Sequence, residues 1–254
     1  MSRVYDLLAR VYDTPDHLEV TAGFHAALRP IARARPRGTW VLDVACGTGV
    51  LAEKLGRARI PVIGVDSSRE MLAIAKRRCR ALADRIQFRR ADLASFRVRE
   101  PCSVASASGD VFNHMLTRAP LVRALRRIRE NLLPGGVLVF EAHNRFGYEH
   151  YWNGHDYFME GEGGDLAMCC EWDAERRLAT VRMVGYARIA RGRWERFETA
   201  LVERFHSDAE LRSALVAAGY QRIHREPWSP WSDQHLEPGI DRNLWTAYAP
   251  GKAE

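Results

Sequence analysis

The stretch V-L-D-V-A-C-G-T-G at 41–49, continued by V-L-A, sets Gly47, Gly49 and Ala52 in the loose G-x-G-x-x-G/A spacing. Glycines spaced this way after an apolar strand let the chain turn tightly and let a ligand approach the backbone. Two acids and a third element extend the pattern. Asp43 lies inside the same apolar run, Asp66 closes P-V-I-G-V-D at 61–66, and Ala91-Asp92-Leu93 follows I-Q-F-R at 86–89. The glycines alone suit either a dinucleotide or S-adenosylmethionine. Asp43 separates the two, because it would repel a pyrophosphate and attract an ammonium or a sulfonium. Asp66 can accept from ribose hydroxyls in either case, and Asp92 is placed to accept from an adenine edge.

Positioning these groups takes strands whose carboxyl ends share one side of a sheet. The sequence supplies apolar strand runs at 40–45, 61–66 and 136–142, a short third strand at 86–89 and a weak fourth at 103–107, with helical stretches at about 50–57, 68–82 and 118–132. Ser67 and Glu70 form a capping-box pair before the second of these. Strands alternating with helices predict a parallel sheet covered on both faces. Upstream, R-V-Y-D occurs twice at a spacing of seven, which puts Tyr5 and Tyr12 on one face if the segment is helical. Thr14-Pro15 reads as an N-cap and N1 pair starting a helix to about residue 33. The second half differs. Residues 143–164 are aromatic, Gly-rich and irregular, and three strand candidates at 165–172, 178–190 and 193–206 make an antiparallel meander. Ser207 and Glu210 then cap a helix ending before Gly219, and strands at 220–225 and 243–248 flank a W-S-P-W-S-D-Q-H loop.

Composition excludes several classes. The 254 residues are 46% hydrophobic and 28% charged, the balance of a globular chain able to bury a sizeable core. Lys plus Arg exceed Asp plus Glu by 38 to 32, a net charge of +6. The basic residues are dispersed, however, and K-R-R-C-R at 76–80 reads as a solvated helix face, so a nucleic-acid partner is not expected. Cys46, Cys79, Cys102, Cys169 and Cys170 are odd in number and form no C-x-x-C pair. Free buried thiols are expected, with no disulfide framework and no metal site. No run is apolar enough to cross a bilayer and no secretory h-region opens the chain, which favours the cytoplasm.

The motifs together resemble the class I S-adenosylmethionine-dependent methyltransferases. V-L-D-V-A-C-G-T-G is similar to the first motif, G-V-D-S-S to the acidic end of the second strand, A-D-L to the adenine-side motif, and N-L-L-P-G-G-V-L-V-F to the helix-turn-strand that closes the core. The likeness covers about residues 36–142, its four pieces in the right order, in the small-molecule, natural-product branch. It implies an α/β fold: a seven-stranded, mostly parallel Rossmann-like sheet with helices on both faces, plus an antiparallel meander covering the acceptor side. It also implies a helical lid at 1–35, a cofactor core at 36–142, an acceptor-side insertion at 143–206, and a last helix and two strands at 207–254. By the same resemblance Asp43, Gly47 and Gly49 contact the methionyl end and Asp66 holds the ribose, with Ala45, Ser67 and Met71 also among the cofactor-binding residues. Ala91, Asp92 and Leu93 flank the adenine, Ser108 and Asn113 lie near the sulfonium, and Tyr5 and Tyr12 close the lid. One departure is Pro101-Cys102, standing where an acid usually opens the fourth strand. The absence of an N/D-P-P-Y type sequence after that strand argues against adenine and glutamine targets.

Six of the seven tryptophans follow residue 150. Tyr148, Tyr151 and Trp152 crowd one Gly-rich segment and Trp228 and Trp231 another, suggesting a pocket for a small acceptor with an aromatic or apolar part. Methyl transfer is a direct displacement, so a base is needed only if the acceptor must lose a proton. His143, directly after the fifth strand, is the first candidate; His206 and His114 are the others. A nitrogen, oxygen or activated carbon could be the target, and a homodimer is compatible with the sequence. Three other classes remain: a protein of this fold that binds the cofactor for a step other than methylation, an NAD-dependent oxidoreductase, and an enzyme methylating RNA or protein. The oxidoreductase is disfavoured by Asp43 and by the lack of a Tyr-x-x-x-Lys pair.

Overall fold

The computed structural model describes residues 2–230 and 240–251. Trp231 lies outside the described residues. The chain begins with α1 (Ser2–Leu8), a short turn, and α2 (Pro15–Arg33). Thr14 Oγ1 accepts the His17 N–H at 3.3 Å with Pro15 at the first helical position, the N-terminus that the Thr-Pro pair predicts. The two R-V-Y-D copies do not form one continuous helix. Tyr5 stands on α1 and Tyr12 beyond its end, yet the turn folds their rings together edge to face at 6.0 Å.

The core then alternates: β1 (Trp40–Val44), α3 (Val50–Arg57), β2 (Val62–Asp66), α4 (Arg69–Arg78), β3 (Ile86–Arg90), β4 (Cys102–Ala107), α5 (Arg118–Glu130) and β5 (Leu132–His143). All six residues of β4 are buried. That is the mark of a central parallel strand covered on both faces, and it explains why this stretch reads as apolar without alternation. Helix α4 is capped by Ser68, whose Oγ accepts the Met71 N–H, rather than by Ser67, and it ends at Arg78 rather than at residue 82. The P-G-G of β5 falls where its register against β4 shifts, from Cys102 opposite Leu132 to Val104 opposite Val137. A bulge there absorbs the proline, so the strand starts earlier than its apolar run.

After β5 a single turn, α6 (Arg145–Gly147), runs into a π-helical turn at Tyr148–Trp152. Four antiparallel strands follow: β6 (Asp156–Gly161), β7 (Gly164–Asp173), β8 (Leu178–Ala190) and β9 (Arg193–Arg204). The meander therefore has one strand more than its sequence pattern indicates. Asp156–Gly161 belongs to the Gly-rich stretch, and its pairing with β7 supplies the order that its composition conceals. Cys169 is exposed and Cys170 buried, on opposite faces of β7. Helix α7 (Asp208–Ala217) carries the complete Ser207–Glu210 capping box. β10 (Gln221–Trp228) and β11 (Arg242–Tyr248) finish the main sheet, whose order is β10-β11-β5-β4-β1-β2-β3. β11 runs antiparallel to both of its neighbours.

Two apolar clusters fill the faces of this sheet. One sets Leu42, Ile63, Phe140 and Trp245 against residues of α5 and α7, and the other sets Val41, Val62 and Val139 against α2 and α3. A third joins Leu8 and Val11 of the N-terminal segment to Leu166, Val181 and Met183 of the meander, so these two parts are packed on each other. The strand order reverses between the parallel neighbours β1 and β4, and their carboxyl ends open onto the crevice where ligands of such sheets bind.

Gly49 sits at the foot of α3 with φ +79°, and a Cβ there would lie 2.9 Å from Ala75 Cβ of α4. Gly49→Ala should lose about 2 kcal/mol or more, from a left-handed backbone and a contact closer than van der Waals distance. Urea denaturation of the ligand-free protein measures it; a loss below about 0.5 kcal/mol would show that the α3–α4 approach tolerates a side chain.

Candidate functional site

Outside the carboxyl ends of β1, β2 and β4 lies a cavity of about 430 Å3. Each strand contributes its following turn: Ala45 and Gly47 after β1, Asp66 and Ser67 at β2, Ala91, Asp92 and Leu93 after β3, and Ser108 after β4. Met71 of α4 and the phenols of Tyr5 and Tyr12 complete the wall. Asp66 shapes the glycine loop. Its Oδ2 accepts the Gly47 N–H at 2.9 Å and its Oδ1 the Ser68 N–H at 2.8 Å. Burial raises its pKa and these amide donors oppose the rise. The N-terminal segment is tied over the loop by side-chain bonds: Ser68 Oγ donates to Asp6 at 2.6 Å, Thr48 Oγ1 donates to Asp13 at 2.6 Å, and Arg78 pairs with Asp13.

Three of the residues expected to touch the cofactor stand behind this wall. Gly49 packs on α4, for the steric reason given above. Asn113 is a brace: its amide donates to the Arg204 carbonyl at 2.9 Å and its Oδ1 accepts the His143 N–H at 3.2 Å. Asp43 is buried below Ala45, where Ser106 Oγ donates to its Oδ1 at 2.9 Å and its Oδ2 has no hydrogen-bond partner. Burial, opposed by Ser106 and reinforced by Asp66, pushes its pKa up to about 7. A buried carboxylate oxygen left unpartnered under a glycine loop fits a cationic ligand group above it, though through the loop and not as part of the cavity surface.

A second cavity of about 470 Å3 adjoins the first. Tyr5, Tyr12, Gly109 and His114 line both. Burial, with the surrounding acids, raises the pKa of both phenols, so they stand as neutral O–H groups at neutral pH. Tyr5 Oη lies 2.8 Å from His114 Nε2, and burial lowers the pKa of that imidazole. The far wall is the meander and the segment before it: Tyr151, Trp152 and Tyr157, with Met159, Met168 and Met183 behind them.

The floor of the second cavity is a buried ion network. Arg242 Nη1 donates to both oxygens of Asp110, at 2.8 and 3.0 Å, and to Glu141 Oε2 at 3.1 Å; its Nε donates to Asp241 at 3.2 Å. Glu141 Oε1 accepts the backbone N–H groups of Gly109 and Asp110, fixing a turn in which both residues have positive φ. Burial would raise the Asp110 pKa, but the Arg242 guanidinium, helped by His143, holds it well below the usual carboxylate range. Burial, with the neighbouring Asp110 charge, pushes Glu141 up to about 7. Glu203 of β9 is also pushed up to about 7 by burial and Asp110, and it accepts the Tyr148 hydroxyl at 2.8 Å.

The candidate bases and acceptor residues separate on this map. His143 lines the second cavity, with Nε2 3.2 Å from Asp110 Oδ2 and Nδ1 without a partner; burial and Arg242 lower its pKa, but Asp110 outweighs them and it ends raised. His114 stands between the cavities. His206 does not reach either: its Nε2 bonds the Met115 carbonyl at 2.9 Å, beside Arg118 and Glu210 on the surface. Tyr151 and Trp152 are on the cavity wall. Tyr148 is fully buried behind it, stacked on Trp172 at 5.0 Å. Trp228 belongs to β10 rather than to a loop and packs against Phe24 of α2. Sequence reasoning passed over Asp110, Glu141, Glu203 and Arg242. The readable signal was Glu141, a charge inside the apolar run V-L-V-F-E-A that demands a buried partner.

Arg242→Met should destabilise the protein by about 3–5 kcal/mol, the range for stripping a buried ion network of one partner. The pH dependence gives the sign. In the native protein the depressed Asp110 contributes stability above the unfolded carboxylate pKa of about 4 and loses it as pH falls through its own low value. In the variant the uncovered acids hold raised pKa values, so its stability falls as pH rises from about 4 to 7. The gap between the two proteins therefore widens from pH 5 to pH 8 in urea titrations. A gap independent of pH would show that the loss is packing alone.

Comparison with known proteins agrees with this geometry. The family described as "Methyltransferase domain" matches residues 41–136. The dTDP-4-amino-2,3,4,6-tetradeoxy-D-glucose N,N-dimethyltransferase of Saccharopolyspora spinosa is 33% identical over 156 residues, covering 56% of this chain and 61% of that protein. The dTDP-3-amino-3,6-dideoxy-alpha-D-glucopyranose N,N-dimethyltransferase of Streptomyces fradiae is 33% identical over 141 residues, covering 56% and 52%. The chain thus spans about half to three fifths of these relatives' own length. A crystal structure of an S-adenosylmethionine-dependent methyltransferase from Clostridium acetobutylicum ATCC 824 shares the fold, with TM-score 0.74 and 18% identity over 98% of this chain and 97% of that one. Residues 41–136 thus match the methyltransferase-domain family, and the fold is one that S-adenosylmethionine-dependent methyltransferases share.

Proposed function

We propose that this protein transfers the methyl group of S-adenosylmethionine to a nitrogen, oxygen or activated carbon of a small molecule by in-line displacement. The observation that carries the proposal is the shared wall. A cavity built from the turns after the parallel strands and a second cavity walled by the meander meet at Tyr5, Tyr12, Gly109 and His114, so donor and acceptor can be held face to face. Among the target atoms nitrogen is favoured, because the two relatives above are both named N,N-dimethyltransferases.

In this reading residues 1–35 are the lid and 36–142 the cofactor core, while 143–206 cover the acceptor and 207–254 complete the sheet. Asp66 accepts from the ribose hydroxyls, Asp92 and Leu93 flank the adenine, and the turn at Ala45 and Gly47 backs the methionyl end, with Asp43 supplying negative charge from below. Bound there, S-adenosylmethionine supplies a methyl group already activated by a sulfonium. The chain's own work is alignment, exclusion of water by the lid, and proton management. Holding the reacting atoms in line removes most of the entropic part of the barrier. An alcohol or phenol acceptor must also lose a proton, and among the imidazoles and carboxylates lining the cavity His143 and Glu203 are the ones whose pKa is raised, the latter to about 7. Five unpaired thiols suit a reducing compartment, and we place the protein in the cytoplasm.

Calorimetry with S-adenosylhomocysteine and with NADH tests the cofactor. The first should bind at least tenfold more tightly, and Asp66→Asn should weaken it by a further tenfold or more, a loss of about 1.4 kcal/mol. Preference for NADH would overturn the proposal.

A further inference from the structure

We propose that the acceptor is a phosphate-free amine, received as its ammonium by the carboxylates of the second cavity with Glu203 at their centre; Glu203 takes one ammonium proton, and the freed nitrogen lone pair forms the N–CH3 bond as the S–CH3 bond breaks and S-adenosylhomocysteine leaves. The inference rests on the methyltransferase reading and names the substrate class of the same site.

It begins from the charges on the cavity wall. Asp16, Asp110, Glu203 and Asp241 line it, and Arg242 is the only Arg or Lys side chain among the described lining residues. Arg242 is already engaged on Nη1 by Asp110 and Glu141 and on Nε by Asp241. Two of the three lining imidazoles are held neutral: burial brings the His17 pKa down to about 4 and lowers that of His114. The third, His143, faces Asp110. A pyrophosphate entering this space would meet four acids and no uncommitted cation. The nucleotide-linked amino sugars named for the two relatives would therefore carry the wrong charge here.

The same four carboxylates are absent from the wall of the first cavity, whose acids are Asp66 and Asp92. These four carboxylates therefore lie on the acceptor side of the wall the two cavities share. Asp16 and Glu203 are the two not committed to Arg242, and of these Glu203 is the buried one. Its Oε2 accepts from Tyr148, while Oε1 faces His114 Nε2 at 3.7 Å, beyond hydrogen-bond range and close to the wall where the two cavities meet. The rest of the surface suits the body of an organic amine. Trp152, Tyr151 and Tyr157 offer ring faces, which attract a cation as well as apolar carbon. Leu166, Val181 and Leu201 close the apolar side.

The test uses the full chain loaded with S-adenosylhomocysteine and three probes in calorimetry: tyramine as ammonium, N-acetyltyramine as the same body without charge, and thymidine diphosphate as the nucleotide handle. Tyramine should bind at least tenfold more tightly than N-acetyltyramine, and thymidine diphosphate should not compete with it. Glu203→Gln should weaken tyramine at least fivefold and leave N-acetyltyramine within twofold. If that variant does not fold, Asp16→Asn on the exposed start of α2 replaces it, with two- to threefold weakening of tyramine expected. Equal binding of the two tyramines, no tyramine binding, no effect of the variant on tyramine, or displacement of tyramine by thymidine diphosphate would each overturn the inference. Loading with S-adenosylhomocysteine is measured first. A chain that fails to load loses the methyltransferase reading, whereas one that loads but ignores the ammonium loses only the amine.

Discussion

The buried guanidinium of Arg242 holds the site in shape. It projects from β11, the one strand of the main sheet that runs against the others, into a pocket bounded by Asp110, Glu141 and Asp241. None of these charges could be buried alone, and their mutual pairing fixes how the ends of β11, β5 and β4 stand relative to each other. Glu141 carries the constraint into the backbone. By accepting the Gly109 and Asp110 amides it stabilises a turn with φ +86° at Gly109 and +55° at Asp110, conformations the chain would not otherwise prefer. That turn is part of the partition between the two cavities. Arg242 on β11 therefore bears, through Glu141, on the turn that separates the two cavities.

The second cavity depends on a different interaction. The main sheet can complete its own core with α2, α3, α5 and α7, and it leaves the meander without a partner for its inner face. Leu8 and Val11 of the N-terminal segment supply one, and the cavity is the space left between them and the aromatic residues after β5. Asp6 and Asp13 anchor the same segment to Ser68 and Thr48 over the cofactor turns. The N-terminal segment, the turns after β1 and β2 and the meander are thus tied together by the same few residues.

The legibility of the site tracks how local its physics is. Ala45, Gly47, Asp66, Ser67, Ala91, Asp92 and Leu93 sit in turns that directly follow strands, and the cavity wall collects them as the strand order requires. Gly49 and Asp43 belong to the same motif but face inward, one against α4 and one under the loop. A motif records which residues a turn contains and not which of their atoms reach the surface. Trp228 and Tyr148 were expected at the acceptor because aromatic rings cluster there in sequence. Rings of that size also fill cores, and only packing against Phe24 and Trp172 reveals which use each has. Asn113 and His206 went the same way, their polar atoms claimed by backbone carbonyls from across the fold.

The sequence by itself determined the alternation of strands and helices, the helix caps at Thr14 and Ser207, the glycine loop and the acids at the strand ends. Each of these follows from torsional preference, hydrogen bonding within a few residues, or hydrophobic period. Tertiary structure alone decided the β6 strand, the face that each aromatic ring presents and the gathering of Asp110, Glu141, Glu203 and Arg242. Those four are separated by up to 132 positions in the chain. The reason is that a buried charge is defined by its partners and its desolvation, and both are set by segments that the chain brings together only when it folds.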